Sequence, residues 1–274
     1  MLKQRIIFGA LGIVLAISVL TFCPVYIIGI CVGVISLIGL YEFYNVTGLI
    51  SKKSPALYAG VIFSIIINAA MILVGSKVLS YMGIAIAFFA FSLMILNVFY
   101  HSKCTFTDAS VSFLGATYVT TFFAHMFLIR ELELGSILIW ILFVCCWSTD
   151  SFAYFCGRAF GKHKLCPKIS PQKTIEGAVG GVLACIMFAL GYLAIVAKIN
   201  GMDVNYLNGI ILALLASVFS QIGDLAASRI KREYGVKDFG NLIPGHGGIL
   251  DRFDSALLIS PIIYYLLLVL PVIK

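Results

Sequence analysis

Three carboxylates in the second half of the sequence are placed where a carboxylate is costly unless it has work to do. In SQIGDLAASRIKR, Gln221, Asp224 and Ser228 recur at i, i+3 and i+7, so they share one helical face. The apolar run before them predicts a helix over 206–230. At a rise of about 1.5 Å per residue, Asp224 lies roughly 9 Å inside its end. An ionised acid at such depth costs about 2.5 to 3.5 kcal/mol and needs a partner, whether a Lys or Arg paired for packing alone or a functional cation. In GHGGILDRFDS, Asp251 and Asp254 stand at i, i+3 at the start of the last apolar helix. Capping of that helix accounts for one acid, worth about 0.5 to 2 kcal/mol, and not for three. Together Asp224, Asp251 and Asp254 form a hard-oxygen set without accompanying His or Cys, which suits Mg²⁺. The number of carboxylates leaves room for a second cation.

Magnesium typically takes one or two carboxylates plus substrate phosphates, so this set implies a nucleotide or pyrophosphate substrate with basic residues around it. Arg229, Lys231, Arg232, Lys237 and Arg252 flank the acids, and Arg158, Lys162, Lys164, Lys168 and Lys173 crowd the preceding loop. Lys173 and Lys231 read as specific contacts; Lys162, Lys164 and Lys168 serve equally well as surface charge facing anionic headgroups. In KISPQKTIEG, Ser170 before Pro171 predicts an N-cap with proline at the first helical position, placing Lys173 in the first turn and backbone N–H groups towards an anion. Gly177 and Gly181 are spaced for helix packing. His246, in PGHGG, is a proton donor, a phosphate ligand or a polar turn residue.

The elements that must position these groups lie in a bilayer. The chain of 274 residues is 61% hydrophobic and 11% charged, too apolar for one soluble core. Apolar windows predict spans at 6–22, 24–44, 57–74, 78–100, 111–129, 136–156, 177–197, 206–230 and 253–272. The expected fold is therefore an all-α integral membrane protein, a polytopic bundle of about nine transmembrane helices. No small-residue cleavage site follows 6–22, so it reads as a retained span rather than a signal peptide. With the N-terminus cytoplasmic, fifteen of the 19 basic residues fall inside, all but Lys77, Arg130, Lys198 and Lys274. The positive-inside rule selects that orientation, with the working face cytoplasmic on the inner (plasma) membrane.

The acids Glu42, Asp108, Glu131 and Glu133 scatter at span ends without clustering, so residues 1–135 read as transmembrane scaffold. Residues 136–274 read as the catalytic region of the same continuous membrane domain. Most of the eight cysteines sit within apolar spans with no CxxC pair and read as small buried hydrophobes. Transport is disfavoured as a function, because the polar residues cluster at the cytoplasmic helix ends rather than near the midplane.

The segment SRIKREYGVKDFGNLIPGHGGILDRFD, Ser228 to Asp254, resembles the signature of the phosphatidate cytidylyltransferase (CDP-diacylglycerol synthase) family. The match runs through Ser228, Lys231, Arg232, Lys237, Asp238, His246, Gly247, Gly248, Asp251, Arg252 and Asp254. Upstream, TDSFAYFCGRAFGKHKL and SPQKTIEG extend it to Asp150, Gly157, Arg158, Gly161, Lys173, Thr174, Glu176 and Gly177. The resemblance implies Mg²⁺-dependent transfer of a cytidylyl group from CTP to phosphatidic acid, releasing pyrophosphate, with metal ligands at Asp224 and Asp251. Asp254 is expected to be a third ligand or to orient the basic residues. Lys173, Lys231, Arg232 and Asp254 are the expected catalytic groups. Substrate contacts are expected from Ser170, Lys173, Gln221, Ser228, Lys237, Asp238, His246, Arg252 and Asp150. A CTP-dependent polyprenol or phytol kinase would share the same nucleotide logic. No nucleic-acid partner is expected, and GxxxG spacings at Gly29–Gly33 and Gly177–Gly181 permit a homodimer without requiring one.

Overall fold

The computed structural model describes residues 12, 14–243, 245 and 247–273. His246 lies outside the described residues, as do Lys3, Arg5 and Lys274, which enter the orientation argument.

Helices account for nearly all of the regular structure, as the apolar windows require. Residues 14–22 are helical (α1), although the start of the expected 6–22 span lies outside the described residues. There follow α2 (Val25–Val46), the short α3 (Leu49–Lys52), α4 (Pro55–Val74), α5 (Leu79–Phe99), α6 (Phe106–Gly115), α7 (Phe122–Glu131), α8 (Gly135–Phe160), α9 (Ile175–Asn200), α10 (Tyr206–Glu233) and α11 (Leu250–Val269). Seven helical stretches among the described residues are long and apolar enough to cross a bilayer. The longest, Pro55–Phe99, contains the 3₁₀ turn Gly75–Val78, which separates the two spans expected there. Large apolar side chains such as Phe22, Leu73 and Ile199 are exposed, consistent with a surface solvated by lipid rather than water. The chain is an all-α polytopic membrane protein.

The chain divides into two compact units that are not consecutive in sequence. One comprises Met1–Glu131 with Tyr234–Arg252, the other Leu132–Glu233 with Phe253–Lys274. In the first, hydrogen bonds donated by polar side chains tie the spans together. Tyr44 donates to the Ser112 carbonyl at 2.9 Å, Ser112 to the Ala56 carbonyl at 2.6 Å, and Thr120 to Ser64 at 2.8 Å. In an apolar interior each such bond is worth about 1 kcal/mol as inter-helix glue. A π-helical stretch, Ala116–Thr121, joins α6 to α7.

In the second unit, α8 and α9 approach closely along the glycine face of α9. A Cβ at Gly177 would lie 2.5 Å from the Ala153 carbonyl oxygen, and one at Gly181 2.9 Å from that of Thr149. The Gly177–Gly181 spacing thus serves packing within the chain. A two-stranded antiparallel hairpin, β1 (Lys164–Cys166) and β2 (Ser170–Thr174), links the two helices.

The hairpin corrects one local expectation. Ser170 does not cap a helix, and Lys173 does not lie in a first turn, because Ser170–Thr174 is extended and pairs with β1. The helix begins four residues later than expected from the Ser-Pro pair, at Ile175, with Thr174 as N-cap accepting from the Gly177 N–H at 3.1 Å. Thr174 is a competent cap in its own right, and the strand pairing holds Ser170 extended, so the downstream signal prevails. His163 secures the hairpin to α9, its Nδ1 lying 2.6 Å from Glu176 Oε1 while its backbone N–H donates to the same carboxylate.

Candidate active site

The second unit contains a cavity of about 640 Å³ lined by α8, the hairpin, α9, α10 and α11. Asp150, Arg158, Ser170, Lys173, Gln221, Asp224 and Asp254 all reach it, so seven residues singled out from the sequence converge on one space. The polar stripe of α10 faces it as its periodicity requires. Gln221 donates to the Ala178 carbonyl at 3.2 Å, and Ser228 donates to Asp224 Oδ1 at 3.3 Å.

Asp224 has the partner its depth demanded. Lys173 Nζ stands 2.5 Å from Asp224 Oδ2, with the two side chains 26% and 29% exposed. The pair is neither sealed in the interior nor freely solvated, so it compensates the acid while both groups remain accessible from the cavity. On α11, Asp254 Oδ1 accepts the Ser255 N–H at 2.8 Å, and Ser255 Oγ lies 3.3 Å from Asp150 Oδ2. Gly223 brings α10 against α11, since a Cβ there would lie 2.9 Å from the Asp254 carbonyl oxygen.

The basic cluster of the loop does not act as one set. Lys164 joins Arg158 and Lys173 at the cavity, whereas Lys162 and Lys168 are not among its lining residues. Strand pairing makes the difference, because β1 places Lys164 opposite Thr174. Lys231 is buried at the end of α10, while Arg232 beside it is exposed.

The boundary between the units passes through the first turn of α11, leaving Asp251 and Arg252 in the first unit and Asp254 in the second. Asp251 is buried, and its Oδ2 accepts the Phe239 N–H at 2.7 Å and the Gly248 N–H at 3.0 Å. It closes the signature loop on itself. Within that loop Lys237, Asp238 and Arg252 are exposed. Gly245 and Gly247, at φ +77° and +84°, occupy the left-handed region that a Cβ at these positions would resist.

One participant in this loop was not singled out from the sequence. Glu42 of α2 is buried, and it accepts the Ile249 N–H on Oε1 and the Leu250 N–H on Oε2, both at 2.9 Å. A carboxylate beside Phe43 and Tyr44 at the end of a span gave no signal of a partner more than two hundred residues away.

The cavity carboxylates fit a hard divalent cation in donor type. Among the described residues no group of three or more His, Cys, Asp or Glu side chains is gathered closely enough to hold a metal by itself. Magnesium commonly completes its shell with water and substrate phosphate around one or two protein carboxylates. The donor chemistry is thus compatible with such a cation, with the rest of its shell supplied from outside the protein.

A cavity between apolar helices that combines three acids with Arg158, Lys164 and Lys173 forms a polar site, and comparison with known proteins specifies its class. The description "Cytidylyltransferase family" matches residues 3–270, and the chain belongs to this family. It is 44% identical over 185 residues to the phosphatidate cytidylyltransferase of Bacillus subtilis, covering 66% of this chain and 67% of the relative. Identity to the Staphylococcus aureus (strain COL) protein of the same name is 36% over 258 residues, or 92% of this chain and 96% of the relative. That of Staphylococcus haemolyticus is 33% identical over 257 residues, with the same coverage.

Proposed function

We propose that this chain transfers the cytidylyl group of CTP to phosphatidic acid, giving CDP-diacylglycerol and pyrophosphate for phospholipid synthesis. The observation that carries the reading is the convergence of Asp150, Lys173, Asp224 and Asp254 on one cavity in a membrane-spanning unit, in a chain similar over nearly its whole length to phosphatidate cytidylyltransferases. Such a cavity lets a lipid phosphate and a water-soluble triphosphate meet.

In the reaction a phosphate oxygen of phosphatidic acid attacks the α-phosphorus of CTP. The bond from that phosphorus to the bridging oxygen breaks, and its electron pair leaves with pyrophosphate. The attacking group is already an anion, so no strong general base is required. Lys173 and Arg158 would bind and orient the triphosphate and stabilise the negative charge that builds on its oxygens. Asp224 and Asp254 would be ligands for Mg²⁺, whose chemistry there is to neutralise charge on the α-phosphate and the departing pyrophosphate. Lys173, paired with Asp224, would be the residue to contact the triphosphate, and Asp224 would be the carboxylate beside it that could hold the cation. Asp251 shapes the signature loop that presents Lys237, Asp238 and Arg252. Its remaining acceptor capacity allows the ligand role expected of it, since one carboxylate has about four acceptor sites. The basic bias of the segments that flank the cavity supports a site that faces the cytoplasm, on the side that would supply CTP.

The test is reconstitution. Purified protein in neutral detergent with CTP, Mg²⁺ and phosphatidic acid is expected to form CDP-lipid and pyrophosphate in equal amounts. Diacylglycerol, which lacks the attacking phosphate, should yield neither. Equal turnover with diacylglycerol or a polyprenol would overturn the reading.

A further inference from the structure

We propose that Glu42 is a positioning residue, a carboxylate supplied by the second helix that holds the signature loop and the start of α11 in their working arrangement. The inference rests on the proposed transfer reaction for its consequence in turnover, although the geometry stands without it.

The first N–H groups of any helix have no partner within that helix, and a buried one left unpaired is costly. At the start of α11 the N–H groups of Ile249 and Leu250 are both satisfied by Glu42, one by each carboxylate oxygen, at 2.9 Å. The acid is 4% exposed. Its two oxygens face the N-terminal end of a helix, where the exposed N–H groups favour an acceptor. The loop is shaped to admit it. A Cβ at Gly240 would lie 2.5 Å from Glu42 Oε1, and one at Gly248 would overlap the same carboxylate. Phe43 stacks on Phe239 at a centroid distance of 6.4 Å, fixing the other side of the loop against the same turn of α2.

Two carboxylates thus hold residues 239–250. Asp251 does so from within, through Phe239 and Gly248, and Glu42 from α2, through Ile249 and Leu250. Lys237, Asp238 and Arg252 flank the part they fix, so loss of Glu42 should misplace groups of the signature without removing any of them. Its two glycines also acquire a reason: the requirement at Gly248 and Gly240 is space for an acid from elsewhere in the chain.

Glu42→Gln preserves volume but replaces one acceptor oxygen with an NH₂ that confronts a backbone N–H. The full-length variant in detergent is compared with wild type by hydrogen–deuterium exchange and by steady-state turnover. The expected result is exchange at least tenfold faster in peptides covering 239–252, unchanged exchange in α8 and α9, and a kcat at least tenfold lower with KM for CTP within about threefold. Wild-type protection of 239–252 would overturn the proposal, as would acceleration spread evenly over all helices, the mark of general destabilisation. If Glu42→Gln does not fold, Gly240→Ala, which drives a methyl group against Oε1, should expose the same peptides, and wild-type protection there overturns the proposal equally. Exchange requires no substrate. A wild-type protein without transferase activity would therefore contradict the reaction assignment while leaving the Glu42 result interpretable.

Discussion

Replacing Lys173 by alanine separates the structural and chemical contributions of the ion pair at the cavity. Its ammonium stands 2.5 Å from Asp224, and both side chains are more than a quarter exposed. Water therefore screens the pair, and its contribution to stability should be about 1 kcal/mol or less. The contribution to turnover is larger, because charge develops on phosphate oxygens inside the cavity during transfer. Losing one transition-state charge contact costs at least about 1.4 kcal/mol, a tenfold fall in rate. Two unit charges 4 Å apart near a protein surface interact by about 4 kcal/mol, which sets a ceiling of roughly a thousandfold. The expected outcome for Lys173→Ala is thus a loss between these limits with little change in thermal midpoint. Lys168→Ala, which removes a hairpin lysine outside the cavity lining, should change turnover less than about twofold. Both variants are assayed purified, with saturating lipid in neutral detergent, so that membrane surface charge contributes to neither. Equal losses would show that the loop acts as a diffuse positive field, and would refute the assignment of Lys173 as a phosphate contact.

Other changes probe separate parts of the account. Asp224→Asn should abolish cytidylyl transfer while leaving membrane insertion intact; near-normal turnover at limiting Mg²⁺ would exclude Asp224 as a ligand. Asp251→Asn should also abolish transfer, and because Asp251 Oδ2 accepts two loop N–H groups, it should in addition speed amide exchange at Phe239 and Gly248. A reporter fused after Lys274 should lie outside and one within 157–176 inside, and two reporters on one side would refute the nine-span topology. Thr174→Ala should destabilise the protein by about 1 kcal/mol through loss of the α9 cap, read as a lowered thermal midpoint.

What could be read from the sequence followed the range over which its signals act. Hydropathy is local, and it located the spans, including the break between 74 and 78, because each helix must satisfy its own backbone in lipid. Helical periodicity is nearly as local, and it placed Gln221, Asp224 and Ser228 on one face; the depth of Asp224 further required a partner, which proved to be Lys173. The Ser-Pro pair misled because two cap signals lay four residues apart, and strand pairing between Lys164 and Thr174, invisible to helical patterns, decided between them. That pairing also drew Lys164 to the cavity, apart from Lys162 and Lys168. Glu42 is the clearest case of a role that could not be read. Its partners are backbone N–H groups of Ile249 and Leu250, which every residue but proline carries, so no side-chain pattern at either end announces the contact.

The central claim is that the chain moves a cytidylyl group rather than a terminal phosphate, and the position of a label decides it. Purified protein is incubated with Mg²⁺, phosphatidic acid and CTP labelled at either the α- or the γ-phosphorus, and the lipid is extracted and counted. The account predicts that the α-label enters the lipid in proportion to pyrophosphate released, with the γ-label confined to that pyrophosphate. Lipid carrying the γ-label would make the protein a kinase, and would contradict the transfer reaction proposed for the cavity around Lys173 and Asp224.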